Sequence, residues 1–390
     1  MAAIITEKFR QHNATQFFES FTESSASTYY LFVGKATAYT SSTTGGSDSS
    51  PPTPSDSPSD TEFYAWDSML AAKNVTSSDV TFSIPRRNWV NGTTYDMYDD
   101  NISSSNTATS GASNLYDSTF YFMTSDFRVY KVLDNNGGTA YSGAEPTSTS
   151  TSPFALGGYV LKYMYQVTTS EAAKYITSDF IPVSDDSTIS AAAVDGKIES
   201  LKITAGTGYT NGTYYAAVYG DGTSAGTSSG AIVRITVSGG TIQSFGLTAG
   251  SDTTIHAGGA GYTFGTVNLA SGFTFSDTGL SAASAIGGTG GVIEVVISPK
   301  NGHGNSSIVE LGGHFVMTAT TLTQAENDDI TTANDFRQVG LVVDPTNFGT
   351  STVASVSTRR QTFVVKASSV SGTFEVDEKI TQATTGAVGK

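Results

Sequence analysis

Residues 84–89, with the sequence Ile-Pro-Arg-Arg-Asn-Trp, combine side chains that are suited to recognising a protein partner. The two adjacent arginines lie in a chain whose formal net charge is -15. Guanidinium groups bind carboxylates through paired hydrogen bonds, and arginine and tryptophan are enriched at the energetic centres of protein interfaces. Arg86, Arg87 and Trp89 are therefore predicted to form a docking site. The other interpretation is an intrachain salt bridge in which the arginines hold a loop.

Serine-nucleophile chemistry is suggested only by two overlapping Gly-X-Ser-X-Gly matches, at residues 222–226 and 226–230. In hydrolases this motif places the serine on a sharp turn between a strand and a helix. Here a β-branched, strand-like segment follows the motif instead. A hydrolase built around Ser228 is therefore disfavoured, and the sequence predicts no catalytic residue and no enzymatic activity.

Metal-binding chemistry has candidate ligands but no recognisable spacing. The four histidines are scattered along the chain, at His12, His256, His303 and His314. Two acidic groups could supply oxygen ligands for Ca²⁺, but neither follows the EF-hand pattern. These groups are Asp96 with Asp99 and Asp100, and residues 326–329. They are predicted to be solvated loop carboxylates, and His303, between two glycines, is predicted to pack on the backbone of a loop. No metal and no cofactor are predicted.

Composition narrows the class of protein. The balance of 35 acidic against 20 basic residues argues against binding to nucleic acids or anionic membranes, which require clustered lysine and arginine. No apolar run approaches the roughly 20 residues that span a bilayer, and no signal peptide is expected. The absence of cysteine favours folding in a reducing cytoplasm. Abundant aromatic, β-branched and glycine residues predict a mainly β protein.

The arginine pair follows a predicted strand at residues 80–84, and Pro85 keeps the backbone there extended. Phenylalanines at helical spacing predict an N-terminal helix over residues 4–21, and a short helix is predicted over residues 62–72. Further strands are predicted at residues 29–33, 119–123, 127–133 and 159–167. A Ser/Pro-rich stretch at residues 40–60 is predicted to be an exposed loop.

Residues 191–300 differ in character and contain an internal repeat. The first copy has segments 196–206, 208–213 and 231–237, and the second has segments 240–250, 261–266 and 292–297. The middle segment of each copy reads Gly-Tyr-Thr-X-Gly-Thr. Alternating apolar and polar residues with glycine at the corners predict a β-hairpin module that is used twice, in an inserted β-sandwich-like domain.

Six short segments, taken together and in order, resemble a known family. In chain order they are residues 7–10 (Glu-Lys-Phe-Arg), 31–35 (Leu-Phe-Val-Gly-Lys), 84–89, 130–134 (Tyr-Lys-Val-Leu-Asp), 158–165 (Gly-Tyr-Val-Leu-Lys-Tyr-Met-Tyr) and 334–341 (Asn-Asp-Phe-Arg-Gln-Val-Gly-Leu). The set resembles the baseplate wedge subunit of T-even-type contractile-tailed phages that is present as a dimer in each wedge. The added β modules resemble a marine-phage version of that subunit.

The resemblance implies a β-sandwich core with a few short helices in loops, and no enzymatic activity. It implies a structural virion protein of the tail baseplate, assembled in the host cytoplasm, that acts as a homodimer and in contact with other wedge subunits. Arg337, from the last of the six segments, joins Arg86, Arg87 and Trp89 as a predicted interface residue.

The resemblance and the repeat together predict the domain organisation. Residues 1–190 and 301–360 form a discontinuous wedge core, and residues 191–300 form the inserted domain. Residues 361–390 are predicted to begin a C-terminal β extension that is incomplete at Lys390.

A carbohydrate-binding or adhesin module of a phage tail is the alternative function. Aromatic rings on a β platform can stack on sugars, but rings that point inward fill a sandwich core. The candidate rings in the insert are Tyr209, Tyr214, Tyr215 and Tyr262.

Overall fold

The computed structural model of the protein describes residues 6–40, 46–53, 67–227, 229–269, 286–322, 335–347, 349–355, 358, 373, 379–386 and 388–389. The chain divides into two compact units. The first contains Met1–Ser27 and Val75–Asp335, and the second contains Thr28–Asn74 and Phe336–Lys390. The first unit thus includes both the predicted insert and most of the predicted wedge core, whose boundaries stay a prediction.

Strands dominate the described residues, which confirms a mainly β protein with a few short helices. The helices are α1 (Glu7–Glu19), α2 (Thr169–Tyr175), α3 (Ser187–Ala192) and α4 (Ser307–Glu310), with 3-10 turns at Ser77–Asp79 and Leu115–Asp117. The strands are β1 (Tyr29–Gly34), β2 (Met69–Val75), β3 (Val80–Pro85), β4 (Tyr121–Met123), β5 (Arg128–Asp134), β6 (Phe154–Leu156), β7 (Tyr159–Gln166), β8 (Phe180–Pro182), β9 (Ser200–Thr204), β10 (Thr207–Tyr209), β11 (Gly212–Gly220), β12 (Ile232–Ser238), β13 (Thr241–Ile242), β14 (Thr254–Ala257), β15 (Gly265–Val267), β16 (Gly287–Thr289), β17 (Val292–Val296), β18 (Phe315–Thr318), β19 (Gln338–Val343), β20 (Ile380–Thr381) and β21 (Val388–Gly389).

The first unit contains a four-stranded antiparallel sheet with the order β4-β5-β7-β6, named the central sheet. Nearly every residue of β5 and β7 is buried, so both faces of this sheet are covered. Because side chains alternate along a strand, Tyr130 and Val132 belong to one apolar cluster, whereas Val129 and Leu133 belong to two others. The cluster that contains Tyr130 and Val132 is named the aromatic cluster. It consists of Tyr95, Phe122, Tyr130, Val132, Tyr141, Tyr159, Leu161, Tyr163 and Ile189.

The N-terminal helix packs on a second, three-stranded sheet with the order β18-β3-β8. The Thr6 hydroxyl accepts a hydrogen bond from the Phe9 amide and caps the first turn of α1. Phe18 stacks on Phe82 of β3, with ring centroids 4.6 Å apart. The structure thus confirms the predicted helix, and within the described residues it begins at Glu7.

The insert folds as one seven-stranded sheet rather than as two separate hairpins. Its main path has the order β13-β12-β11-β15-β17-β9, and β14 also pairs with β12. Strands β9, β11 and β12 come from the first repeat copy, and β13, β15 and β17 come from the second. The order is therefore symmetric about the β11–β15 pair, and each copy supplies its first strand to the outer edge of the other copy.

Equivalent tyrosines of the two copies make reciprocal hydrogen bonds. The Tyr209 hydroxyl accepts from the Gly291 amide just before β17, at 2.9 Å. The Tyr262 hydroxyl accepts from the Ala231 amide just before β12, also at 2.9 Å. Both rings are buried, and each ring lies in one copy while its amide partner belongs to the other. The repeat is thus an interlocked pair with approximate twofold symmetry.

The second unit contains a sheet with the order β19-β1-β2. Strand β1 pairs with β19 in antiparallel register, from Tyr29 opposite Val343 to Gly34 opposite Gln338. The predicted helix over residues 62–72 is wrong from Met69 onward, because those residues add a strand to this sheet. Strand pairing overrides the high intrinsic helix propensity of Met-Leu-Ala-Ala-Lys, because tertiary contacts outweigh the small propensity differences per residue.

Removing the hydroxyl of Tyr262 or of Tyr209 is expected to lower the free energy of unfolding by different amounts. Tyr262→Phe should lower the free energy of unfolding by about 1–3 kcal/mol, because it leaves the buried amide of Ala231 without its acceptor. Tyr209→Phe should cost less, because Gly291 is only partly buried and water can replace the hydroxyl. Urea denaturation of the full chain measures both. Tyr219→Phe, on an exposed ring of the same sheet, is the control, and an equal loss there would contradict the assignment.

Candidate functional site

Arg86 lies at the end of β3 and bonds to its own chain. Its backbone amide donates to the Asp179 carbonyl at 2.7 Å, which continues the pairing of β3 with β8. Its guanidinium donates from Nε to Asn88 Oδ1 at 3.0 Å and from Nη1 to the Thr177 carbonyl at 2.8 Å. The side chain remains partly exposed. Arg86 therefore combines intrachain anchoring with access to solvent.

The Arg87 guanidinium contacts a tyrosine ring and a backbone carbonyl. Its Nη2 donates to the Tyr116 carbonyl at 2.8 Å, and its Cζ lies 4.4 Å from the centroid of the Tyr121 ring. Burial is the main influence on this group and lowers the pKa of Arg87, while Tyr121 and Asp96 oppose the shift. A cation–π contact with a desolvated ring stabilises such a charge. Among the described residues neither arginine forms an ion pair, so carbonyls and a ring replace the predicted salt bridge.

Trp89 covers one edge of the aromatic cluster. Its amide donates to the Met123 carbonyl at 2.8 Å, which fixes residues 84–89 alongside β4. Its ring meets Tyr141 edge-on, with centroids 5.8 Å apart, and its Nε1 is buried with no acceptor among the described residues. The structure therefore brings Arg86, Arg87 and Trp89 together on one rigid segment.

Arg337 lies in the second unit and also bonds to its own chain. Its Nε is 2.9 Å from Asp48 Oδ1, and its Nη1 donates to the Ala36 carbonyl at 2.8 Å. The Tyr39 hydroxyl donates to the Arg337 carbonyl at 3.2 Å. Arg337 thus holds Ala36, Tyr39 and Asp48 near the start of β19.

The acidic group at residues 96–100 is structural. Asp96 is buried, and its carboxylate accepts four hydrogen bonds from the amides and hydroxyls of Ser110 and Thr119, at 2.6–3.0 Å. Asp99 is buried and pairs with Lys202 at 2.8 Å. The prediction of solvated carboxylates is wrong for these two residues, because the loop supplies amides that need buried acceptors. The other acidic group, residues 326–329, lies outside the described residues.

The remaining catalytic and metal candidates are not assembled into a site in the described residues. Ser224 lies in a turn, and strand β12 rather than a helix follows its motif, while Ser228 lies outside the described residues. His12 is exposed, the His256 ring contacts Tyr215, and His314 Nδ1 lies 3.3 Å from Glu7 Oε2. The described part of the chain holds no group of three or more His, Cys, Asp or Glu that could bind a metal.

The rings proposed for sugar stacking do not form an exposed platform. Tyr209 and Tyr262 are buried and serve the reciprocal hydrogen bonds of the insert. Tyr214 and Tyr215 are adjacent in β11, so they point to opposite faces of the sheet. The insert therefore gives no support to the carbohydrate-binding alternative.

A buried ionic cluster lies on the other face of the central sheet from the aromatic cluster. Lys131 Nζ lies 2.8 Å from Glu310 Oε2, 2.8 Å from His303 Nδ1 and 3.9 Å from the centroid of the Tyr98 ring. The Lys131 and Glu310 side chains are 0% and 2% exposed. Burial lowers the pKa of Lys131, which the Glu310 charge opposes, and burial with the neighbouring lysines holds the pKa of His303 well below its usual value.

This ionic cluster was not predicted, although the sequence contains a signal for it. Lys131 and Lys162 each interrupt an apolar run, and the register places them directly opposite each other on β5 and β7. A lysine within a strand that is buried on both faces needs a compensating partner. His303 does lie in a loop, as predicted, but its ring bonds to Lys131 rather than packing only on backbone.

A cavity of about 240 Å³ lies where the loop of residues 97–109 meets the insert. Asp99, Asp134, Lys202 and Phe245 are among its lining residues. Burial raises the pKa of Asp134 from 3.8 to about 6, although its carboxylate accepts a hydrogen bond from the Asn136 amide. Because Lys202 is already paired with Asp99, no cation is left in this lining to favour ionised Asp134.

The predicted interface arginines are held by hydrogen bonds within their own chain. Residues 3–145 match the model of a family described as Phage-Gp8, Bacteriophage T4 Gp8. The match spans less than half of the chain and ends before residues 158–165 and 334–341. It confirms the resemblance to a T4-type baseplate wedge subunit, which is a structural component of the phage tail baseplate. No curated protein matches the chain.

Membrane insertion through a helix finds no support in the described ranges. None of the helices there has the length and apolar character needed to cross a bilayer.

Because burial raises the pKa of Asp134, the stability of the fold is expected to depend on pH. A pKa raised in the folded state stabilises the fold below the unfolded value of 3.8, and this contribution is lost as the pH rises through about 6. Asp134→Asn should therefore gain stability relative to the unmodified chain between pH 4 and pH 7, by about 3 kcal/mol. Urea unfolding at several pH values measures the difference.

Asp195→Asn is the matched control for this experiment. Its carboxylate also accepts one backbone hydrogen bond, from Asn301 at 2.6 Å, but Asp195 is exposed to water. Parallel pH profiles for the unmodified chain and Asp134→Asn would contradict the raised pKa.

Proposed function

We propose that the protein is a structural subunit of a contractile phage tail baseplate wedge, acting by homodimerisation and by contacts with other wedge proteins. The observation that carries this proposal is the family match over residues 3–145. That range includes the N-terminal helix and the segment of residues 84–89. Assembly takes place in the host cytoplasm, and the assembled subunit is part of the virion.

The subunit acts as a rigid bracket that transmits baseplate rearrangement mechanically. The central sheet supports this role, because both of its faces are buried and the aromatic cluster braces one of them. Residues 84–89 are fixed to this sheet through the Met123 carbonyl. A force applied at the segment would therefore reach the core through hydrogen-bonded strands rather than through a loose loop.

Within the segment we assign different roles to the two arginines. Arg86 is partly exposed and faces an acidic group of a neighbouring subunit, together with the accessible part of Trp89. Arg87 supports the segment from beneath through Tyr116 and Tyr121. Arg337 contributes to an interface on the second unit, where its bonds to Asp48 and Ala36 hold it in position.

The oligomeric state and the partners test this function directly. Sedimentation of the purified full chain is expected to give the mass of a dimer, because self-association is part of the proposal. Co-expression with the other wedge proteins of the same phage should yield a complex that survives gel filtration. A chain that stays monomeric and joins no wedge protein would contradict the proposal.

The two arginines should respond differently to truncation. Arg87→Ala should lower the free energy of unfolding by about 2 kcal/mol, since it removes a hydrogen bond made by a charged group and leaves the Tyr116 carbonyl unpaired. Arg86→Ala should change stability by less than about 1 kcal/mol but should weaken wedge assembly. Denaturation and co-purification measure the two effects. If Arg86→Ala assembles normally, Arg86 is not an interface residue.

A further inference from the structure

The buried ionic cluster holds the Lys131 amine within hydrogen-bonding distance of the Glu310 carboxyl group, where bulk water has little access. Lys131 Nζ is 2.8 Å from Glu310 Oε2. The other carboxyl oxygen, Glu310 Oε1, accepts hydrogen bonds from the Gly304 amide at 2.6 Å and from the Ser306 amide at 3.4 Å. We propose that Lys131 and Glu310 condense to form an intramolecular amide bond. This modification is independent of the proposed baseplate function.

The nucleophile of this reaction is the amine of Lys131. Nucleophilic attack requires the neutral amine, and burial lowers the pKa of Lys131 in that direction. The Tyr98 ring, 3.9 Å from Nζ, limits the directions in which the amine can move. The amine is therefore held beside the carboxyl group rather than free to turn toward water.

His303 is placed to act as the base. Because Lys131 Nζ carries only donors in its charged form, the hydrogen bond of 2.8 Å requires an unprotonated Nδ1 on His303. The imidazole proton is then on Nε2, which is buried with no acceptor among the described residues. Burial and nearby lysines hold the pKa of His303 well below its usual value, so the ring is neutral and its Nδ1 lone pair faces the amine.

The backbone around His303 supplies the oxyanion site. Gly304 has a φ of +89°, and a Cβ there would lie 2.6 Å from Ile189 Cγ2, so only glycine fits without displacing the loop. This conformation turns the Gly304 amide toward Glu310 Oε1. Amide donors aimed at the oxygen that becomes negative in a tetrahedral intermediate stabilise acyl transfer.

The reaction balances without any further reactant. A proton passes from the Lys131 ammonium to Glu310 Oε2, and the neutral amine then attacks Cδ of Glu310. Negative charge collects on Oε1, beside the Gly304 and Ser306 amides. His303 Nδ1 takes the second proton from Nζ and delivers it to the departing oxygen. The Cδ–Oε2 bond breaks, water leaves, and a neutral amide joins Nζ to Cδ.

The dry surroundings favour the amide once it has formed. The side chains of Lys131 and Glu310 are 0% and 2% exposed, so bulk water has little access for hydrolysis. Condensation also removes two buried charges, whose desolvation is costly. The bond would link residues separated by 179 positions and would enclose the whole insert in a covalent loop. Tension along the chain would then bypass the insert.

Mass spectrometry of the full chain tests this proposal. The denatured protein is expected to be lighter than its sequence by the mass of one water molecule, and a protease digest should contain a branched peptide that joins Lys131 to Glu310. An intact mass equal to that of the sequence after prolonged incubation, with no branched peptide, would overturn the proposal. This measurement on the unmodified chain does not depend on whether any variant folds.

Two variants separate this bond from other losses of water. Lys131→Arg keeps the positive charge beside Glu310 but lacks the amine, so it should recover the full mass. Succinimide formation at Asp195-Gly196 or Asp221-Gly222 also removes water but would persist in Lys131→Arg, which would overturn the assignment. His303→Gln should lower the cross-linked fraction soon after synthesis. An unchanged fraction would remove His303 as the base.

Discussion

Two lysines face each other in the middle of the central sheet, and the arrangement of the first unit depends on how their charges are compensated. Lys131 and Lys162 are direct neighbours across β5 and β7, and both are buried. An unpaired charge at such a position is strongly destabilising. Lys162 reaches the Thr151 carbonyl, but Lys131 needs the carboxylate of Glu310. The chain must therefore return to the sheet after the insert, and the loop around His303 is where it does so.

This return fixes the insert against the core instead of leaving it as an appendage. The Ser200 hydroxyl donates to the Leu133 carbonyl at 2.6 Å, at the point where β9 lies beside β5. Leu133 and Val160 of the central sheet belong to the same apolar cluster as the interlocked strands of the insert. The insert and the central sheet thus share one apolar core.

The arginine pair shows how two adjacent residues of one short motif can have different surroundings. Side chains alternate along an extended segment, so the Arg87 guanidinium lies over the Tyr121 ring while the Arg86 guanidinium bonds to Asn88 and to the Thr177 carbonyl. The Arg87 guanidinium lies over the Tyr121 ring and donates from Nη2 to the Tyr116 carbonyl, so a ring and a carbonyl stand where a carboxylate was predicted. The acidic character of the whole chain makes the Arg86 guanidinium a distinctive feature of the surface, and an acidic partner is the complement that its charge favours.

The sequence by itself determined the mainly β class, the helix at α1, strands β1, β3, β5 and β7, the repeat in the insert and the resemblance to a baseplate wedge subunit. These features depend on local periodicity and on short ordered segments. Only the tertiary structure decided that the repeat copies exchange their outer strands, that residues 69–75 form a strand, that Asp96 and Asp99 are buried, and that Lys131 meets Glu310 and His303. Each of these depends on groups far apart in the chain, and a single sequence does not encode such proximity in its local pattern.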